Sequence, residues 1–504
     1  MSAPARACAD APLPYLDDAA QGARVRGVFT AAGYTAASVD AVLGRGGGAA
    51  QRQAVAAAGA GRDDALGLLI KLFGGGTTLP AATLATALPG AQLATLEAAG
   101  LLVRDTEGAR ATVLLTPYGT GLFAHDRGER HSARAADFVV GPSPVARLLG
   151  AFALPGTVDT ALDLGCGAGV LALDALAPAR HVSALDLNPR AVALTRFNAR
   201  LNGRDDIVTY CGDLFTPLGT ARFDRILSNP PFVIAPETTY LYRDGGAAIC
   251  ARIVCEAPAH LNVGGVLQML CNWPERTGSD WREVPRRWFE GSECDGWVLR
   301  LRSLGAREYA LAWLGQEHAG APVPAAALEQ WNDHFAAHGI DAVGTGLVVM
   351  HRPTGRTPWL ELRDAPPLRG AAGASIAQVL AARDLAARLD DDAALLAACL
   401  QPNPALEHHV RRRPHGGGWA QTHAELRLAR GLSFAVRADP LACLLIGYLD
   451  GRRSVAAAAS AVAAAAGVAL APLLAELPGA VRRLLQLGML IPAEGTGPAG
   501  GAAR

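Results

Sequence analysis

The amino-acid sequence predicts an α/β fold built on a doubly wound, mostly parallel seven-stranded sheet with mainly helical blocks on either side. Three observations carry this expectation. Strand-like and helix-like patterns alternate from about residue 142 to 320, the signature of a parallel sheet. The glycine-rich run Gly165-Cys166-Gly167-Ala168-Gly169 lies between a strand pattern and a helix pattern. Pro230-Pro231 follows a later strand pattern, and two consecutive prolines cannot sit inside a central strand.

The elements follow in chain order. In residues 1–140, Val25 to Leu43 reads as one amphipathic helix and Asp63 to Phe73 as another. After Gly74-Gly75-Gly76, Pro80 to Leu88 and Ala91 to Ala99 read as short helices. Leu101 to Val103 and Ala111 to Leu115 are β-rich runs around Glu107-Gly108, a hairpin signal. Helix, turn, helix and hairpin is a winged-helix-like order.

Residues 142–364 form the central block. Thr160 to Leu164, Val182 to Leu187, Ile207 to Tyr210, Phe223 to Ser228 and Val266 to Asn272 read as parallel strands. Helices are expected from Val170, from Pro189 to Leu201 and from Gly246 to Leu261. Trp297 to Leu301 with Tyr309 to Leu314 would close the sheet as an antiparallel pair, and Leu347 to His351 with Trp359 to Leu362 would form an appended hairpin. Residues 365–504 read as mainly helical, with Gly488 to Pro492 as the start of a second wing.

Composition bounds the function. The chain has 504 residues, half of them apolar and 18% charged, which suits several folded domains rather than a disordered chain. Lysine plus arginine and aspartate plus glutamate are 46 each, so no whole-molecule field draws the chain to nucleic acid or membrane. Lys71 is the one lysine. Nine scattered cysteines, none in a CxxC pair, argue against a disulfide framework or zinc site, so no metal is expected. The first residues lack a basic-then-apolar leader pattern. Val455 to Leu474 is uncharged but mostly alanine, and reads as a helix pair rather than a membrane span. These features suit the cytoplasm.

The chemistry is carried by two loops and two acids. Asp163-Leu164-Gly165-Cys166-Gly167-Ala168-Gly169 ends a strand and opens a helix, so its glycines let the backbone approach a ligand. The spacing is GxGxG, not the GxGxxG of dinucleotide sites. Asp186 ends the second strand 17 residues past Gly169, where a carboxylate can accept from both ribose hydroxyls. Asn188 can cap the next helix with Pro189 as its first residue, leaving Asp186 for a ligand. Asp213, with Leu214 beside it, stands where an adenine amino group can be read. Asn229-Pro230-Pro231-Phe232 places the Asn229 side-chain oxygen and carbonyls where they suit an amino group, with Phe232 as a stacking face.

These segments, "DLGCGAGVLAL", "ALDLNPRAV", "GDLFTPL" and "FDRILSNPPFV", resemble class I methyltransferases that use S-adenosylmethionine (SAM) and carry an NPP[YF] motif. The resemblance covers roughly residues 142 to 275. It is nearest to the HemK-type glutamine methyltransferases of release factors and then to the ribosomal RNA guanine-N2 enzymes. It implies that Asp163, Gly165, Cys166, Gly167 and Gly169 form the SAM loop. It further implies that Asp186 with Leu187 holds the ribose, Asp213 with Leu214 the adenine, and Asn229, Pro230, Pro231 and Phe232 the target nitrogen, with Asn229 also bordering the cofactor. The flanking blocks depart from the HemK pattern, so the chemistry carries over better than the substrate.

Tyr240, Tyr242, Arg243 and Asp244 either floor a substrate pocket or form a plain loop. The basic run His408 to His415 reads as a solvated loop, with phosphate contact as the other reading. The expected partner is a macromolecule, protein or peptide ahead of RNA, with neither membrane nor metal. A SAM-responsive DNA-binding regulator is the reading from another class; a sensor has no need of an amino-group clamp.

Overall fold

The computed structural model describes residues 13–44, 56, 61–106, 108–128, 130, 135–236, 243–244 (backbone), 247–317, 322–389 and 391–493. The chain forms two compact units, residues 1–150 with 157–363, and residues 151–156 with 364–504.

The first unit is built on one sheet of eight strands. They are β1 Thr160–Leu164, β2 His181–Asp186, β3 Val208–Cys211, β4 Phe223–Ser228, β5 Leu261–Glu275, β6 Asp295–Gly305, β7 Ala342–His351 and β8 Leu360–Asp364. Their spatial order is β8-β6-β7-β5-β4-β1-β2-β3. β3, β2, β1, β4 and β5 run parallel; β7 is antiparallel to both β5 and β6. The parallel strands are linked by α1 Val170–Leu173, α2 Pro189–Leu201 and α3 Ala248–His260. The chain runs from β1 outward through β2 to β3, then returns to place β4 on β1's other side. β1 and β4 therefore flank the point where strand order reverses, and open sheets bind ligands beyond the carboxyl ends of such strands.

Three expectations are corrected. The sheet has eight strands, not seven, because Leu360–Asp364 extends its edge instead of forming an appended hairpin. The antiparallel additions are Asp295–Gly305 and Ala342–His351. Tyr309 to Leu314 is not a strand; it lies within the helix Ala306–Glu317, where its alanines and leucines are strong helix formers and Glu308 sits in the first turn.

Residues 13–125 contribute five α-helices among the described residues: Ala19–Ala31, Ala36–Leu43, Ala65–Leu69, Ala81–Ala87 and Gly90–Ala98. The single helix expected from Val25 to Leu43 is broken at Gly33, whose φ is +69°. Two hairpins follow, Leu102–Asp105 with Gly108–Ala111 and Leu114–Tyr118 with Gly121–His125. Glu107 lies outside the described residues. This block shares one continuous core with α2 and the loop and helix that follow β1: Val25, Phe29, Leu68, Phe73, Leu96 and Phe123 join Ala168, Val170, Leu194, Phe197 and Leu201.

Helix α2 makes the polar links. The buried Asn198 donates to Ala124 O at 3.0 Å and accepts from Ala124 N at 2.7 Å. Asn202 accepts from Leu122 N at 2.9 Å and donates to Leu122 O at 2.8 Å. Arg190 bonds Asp126 through Nε at 2.9 Å and Nη2 at 2.5 Å, and Asp126 is itself buried.

The second unit contains helices Gly373–Arg388, Asp392–Ala397, Pro440–Tyr448, Val455–Ala466 and Leu470–Gln486. Leu400–Pro402 pairs with Leu490–Pro492. The basic run expected as a loop is instead the strand Leu406–His415, paired with Gly418–Leu428 in a long ribbon. No described helix is long and apolar enough to cross a membrane.

Candidate active site

The β1 loop is held in place by backbone bonds. Gly165 N and Cys166 N donate to Leu185 O at 2.8 and 2.9 Å, which ties the turn to the end of β2. Gly169 N closes it onto Cys166 O at 2.7 Å. Gly169 has φ +75°, and a Cβ there would stand 2.9 Å from Thr195, so glycine is required twice over. At Gly165, with φ +78°, the nearest atom to a built Cβ is Pro230 Cα at 4.0 Å. The glycine loop and the Asn-Pro-Pro-Phe loop therefore face each other across a gap that bare backbone leaves open. Thr195, from α2, donates to Gly167 O at 2.9 Å, and Asn198 donates to Ala168 O at 2.9 Å. These two helix residues brace the loop from behind, and the sequence reading missed them. Threonine and asparagine are poor helix formers, so their presence mid-helix was an available signal.

Asp186 stands at the centre of this arrangement. Its Oδ2 accepts from Gly167 N at 2.8 Å and its Oδ1 from Asn188 N at 2.9 Å. Asn188 caps α2 through Arg190 N at 2.9 Å, as the sequence reading expected. Each Asp186 oxygen retains acceptor capacity beyond its amide. Burial raises its pKa, and the Asn188, Gly167 and Leu187 amides oppose that rise. Leu187 next to it is 52% exposed, an apolar surface at the lip of the strand.

Asp163 is wholly buried, so it supports the loop from beneath. Its Oδ2 accepts from Ala172 N in α1 at 2.9 Å, while its Oδ1 has no partner among the described residues. Burial pushes this carboxyl up to about 7; the Ala172 amide opposes the shift and the Asp186 charge adds to it. Cys166 is buried too, its thiol beside Thr195 Oγ1 at 3.3 Å, and burial raises its pKa above the usual thiol range.

Asp213 is half exposed and paired with Arg252 at 2.9 Å, which in turn meets Glu256. A ligand amino group would compete with that guanidinium for the carboxylate. Leu214, its neighbour, is buried and holds a left-handed backbone at φ +44°.

Beyond β4, Ser228 Oγ donates to Leu164 O at 2.8 Å, clamping the two motif strands together. Pro230 and Phe232 are buried. Asn229 presents a side-chain oxygen that is buried yet has no hydrogen-bond partner among the described residues. A buried acceptor left unsatisfied costs about 1–3 kcal/mol unless something donates to it. The segment leaving the loop is anchored as well: Ile234 N donates to Tyr309 Oη at 3.2 Å, and Asn272 Nδ2 donates to the same oxygen at 2.9 Å. Tyr240 and Tyr242 lie outside the described residues; Arg243–Asp244 pairs in parallel with Val233–Ile234.

The fold and the two facing loops fit what the sequence resemblance to class I methyltransferases implies. A family model described as "Methyltransferase small domain" matches residues 146–279, and one described as "Domain of unknown function (DUF7059)" matches residues 31–112. The ribosomal protein uL3 glutamine methyltransferase of Bradyrhizobium diazoefficiens is 34% identical over 162 residues, 29% of this chain and 51% of that protein. The release factor glutamine methyltransferase of Geobacter sulfurreducens is 38% identical over 125 residues, 21% of this chain and 43% of that protein. The ribosomal RNA small subunit methyltransferase C of Alcanivorax borkumensis is 32% identical over 152 residues, 30% of this chain and 41% of that protein. The chain thus spans about half or less of the length of these curated relatives. Residues 146–279 are a methyltransferase domain of the SAM-dependent class.

Proposed function

We propose that the protein is a SAM-dependent N-methyltransferase that acts on a planar amide or amino nitrogen of a protein or peptide. The observation that carries this reading is the buried oxygen of Asn229, without a partner among the described residues, on a loop facing the glycine turn. An acceptor placed there needs a donor, and an NH2 group supplies one. The site also fits the cofactor. Gly165 and Gly167 offer uncovered backbone, and Asp186 keeps free lone pairs. Leu187 and the Asp213–Leu214 segment border the place for an adenosine. When bound, SAM supplies a methyl group already activated on a sulfonium sulfur.

The protein's own task is orientation, worth roughly 7–11 kcal/mol when the reacting atoms are held in line. Asn229 would accept a hydrogen from the target nitrogen and stabilise it as it gains positive charge. Pro230 and Pro231 bring no backbone N–H to compete for that acceptor, and Phe232 supplies an apolar wall. No general base is required before transfer, because the nitrogen can shed its proton to water afterwards.

Protein is favoured as the substrate because the matched relatives include two enzymes named for glutamine in proteins. The second reading, an exocyclic amine of RNA, rests on the relative named for ribosomal RNA. Substrates of either kind would place the protein in the cytoplasm. Helix, turn, helix and hairpin across residues 65–111 is also the order of a winged helix, and we assign that block a supporting role beside the sheet.

The test begins with labelled SAM and cell lysate, treated with protease or with RNase. Label in a protease-sensitive product is expected; label in an RNase-sensitive product selects the second reading. Asn229→Ala should leave SAM affinity within about threefold and lower turnover by roughly 100- to 1000-fold, the usual loss when a donor or acceptor aimed at transition-state charge is removed. Near-normal turnover in that variant would sink the amino-group clamp. SAM binding with no transfer to any lysate fraction would favour a SAM-responsive regulator.

A further inference from the structure

We propose that the β-ribbon of the second unit is a docking surface for single-stranded RNA. The ribbon joins Leu406–His415 to Gly418–Leu428. Its two-residue turn is Gly416-Gly417, both at positive φ, +57° and +82°, which suits the tight hairpin turn that fixes register. Leu426 and Leu428 are buried at its root. Beyond the root, every residue from 407 to 419 and from 421 to 423 is exposed. A two-stranded ribbon wet on both faces has no core to hold it, and such a hairpin is marginal by itself. Its features therefore need a reason outside the fold.

Charge supplies one. Residues 408–424 contain Arg411, Arg412, Arg413 and four histidines, and no aspartate or glutamate. The acids at the root are already engaged: Glu407 meets His409 at 2.7 Å, and Glu425 meets Arg427 at 2.8 Å and His423 at 3.2 Å. Among the described residues, none of the three arginines has an acidic partner. In a chain of zero net charge this is a concentrated basic surface.

Register sorts the side chains. Strand residues alternate faces and cross-strand partners share one. Arg411, paired with His423, and Arg413 lie on one face; Arg412 lies on the other, with Trp419, which pairs with Pro414. Trp419 is 70% exposed, the most exposed of the large apolar side chains described. An indole in water among guanidinium groups is the combination that binds single strands: cations track the phosphates and the ring stacks on a base. Duplex bases are already stacked and offer the ring no face. An anionic membrane would want a continuous apolar face, whereas Trp419 and Val410 are interrupted by Arg412 and Gln421. The inference is independent of which nitrogen the active site methylates.

The experiment uses the full-length protein and a fluorescent 20-nucleotide oligouridylate, with anisotropy read across a salt series. Wild type is expected to bind more tightly than about 10 µM at low salt and to weaken steeply as salt rises. Replacing Arg411, Arg412 and Arg413 by alanine should flatten the log–log salt slope by about two, at 0.7 per phosphate contact for single strands. Trp419→Ala should weaken binding about fivefold to a hundredfold and leave the slope unchanged. Both variants should keep wild-type SAM affinity and melting temperature; if the alanines disturb folding, the glutamine versions of the three arginines replace them. RNA binding that is absent, or indifferent to both sets of changes, would overturn the proposal. So would inorganic polyphosphate binding as tightly as RNA, since bases would then add nothing. Binding to phosphatidylglycerol vesicles in place of RNA would assign the ribbon to a lipid surface.

Discussion

At the scale of single residues, Asp163 and Asp186 divide the work of the glycine loop. Asp163 is buried with its carboxyl pushed up to about 7, above the ordinary carboxylate value near 3.9. The native state thus holds that proton more tightly than the unfolded chain. Ionising Asp163 opposes folding; the cost is absent below about pH 4, grows as pH rises toward 7 and is complete above it. Asp163→Asn keeps an acceptor for Ala172 N and removes the charge. Its melting temperature should exceed wild type by a few degrees at pH 8, with the gap closing toward pH 4. A gap that ignores pH would show that burial of the charge is not the cause. Asp186→Ala acts in the opposite sense, because two loop amides, Gly167 N and Asn188 N, lose their acceptor. SAM affinity in titration calorimetry should fall at least tenfold to a hundredfold, the equivalent of a charged hydrogen bond of about 1.5–3 kcal/mol. Unchanged affinity in a folded variant would remove Asp186 from the site.

At the scale of elements, helix α2 connects the parts. One of its faces braces the glycine loop through Thr195 and Asn198, and the same Asn198 holds the N-terminal hairpin at Ala124. Asn198→Ala would strand three buried backbone groups, each costing about 1–3 kcal/mol unless water replaces the amide. Thermal stability and SAM affinity should fall together; a drop in melting temperature alone would limit Asn198 to structure. Strand β7 offers a second check, since a Cβ at Gly346 would lie 2.5 Å from the Trp273 ring and 2.7 Å from Leu299 O. Gly346→Ala should cost about 1–3 kcal/mol in denaturant unfolding, the usual penalty of overpacking. The contrast with the sequence reading is physical. β1 to β4 and the two motif loops were legible because glycines, prolines and short apolar runs act locally. Tyr309 to Leu314 misled because a six-residue apolar run fits strand or helix equally well. The ribbon was hidden because exposure on both faces erases the alternation that marks a strand. Thr195 and Asn198 stood out in sequence only as poor helix formers placed mid-helix; what they brace is set by tertiary contact, not spacing.

At the scale of the molecule, the N-terminal block belongs to the fold. A sheet complete in itself would leave residues 1–140 free to serve only as a substrate selector. The core says otherwise: Phe29, Phe73, Leu96 and Phe123 are buried in the same cluster as Leu194, Phe197 and Leu201 of α2. Gly22 approaches α2 so closely that a Cβ there would fall 2.1 Å from Arg200 O. Stripping this block would expose one side of α2 and leave Arg190 without its Asp126 partner. Burying a single large apolar side chain contributes about 1.5–3 kcal/mol, while a whole domain keeps only about 5–15 kcal/mol of net stability. A chain starting near residue 141 should therefore fail to fold, and pulse proteolysis should show it cleaved under conditions where the full chain resists. Saturating SAM should not rescue it, because even a thousandfold excess over the dissociation constant adds only about 4 kcal/mol. A soluble, protease-resistant product that still binds SAM would return the block to the role of a detachable substrate selector.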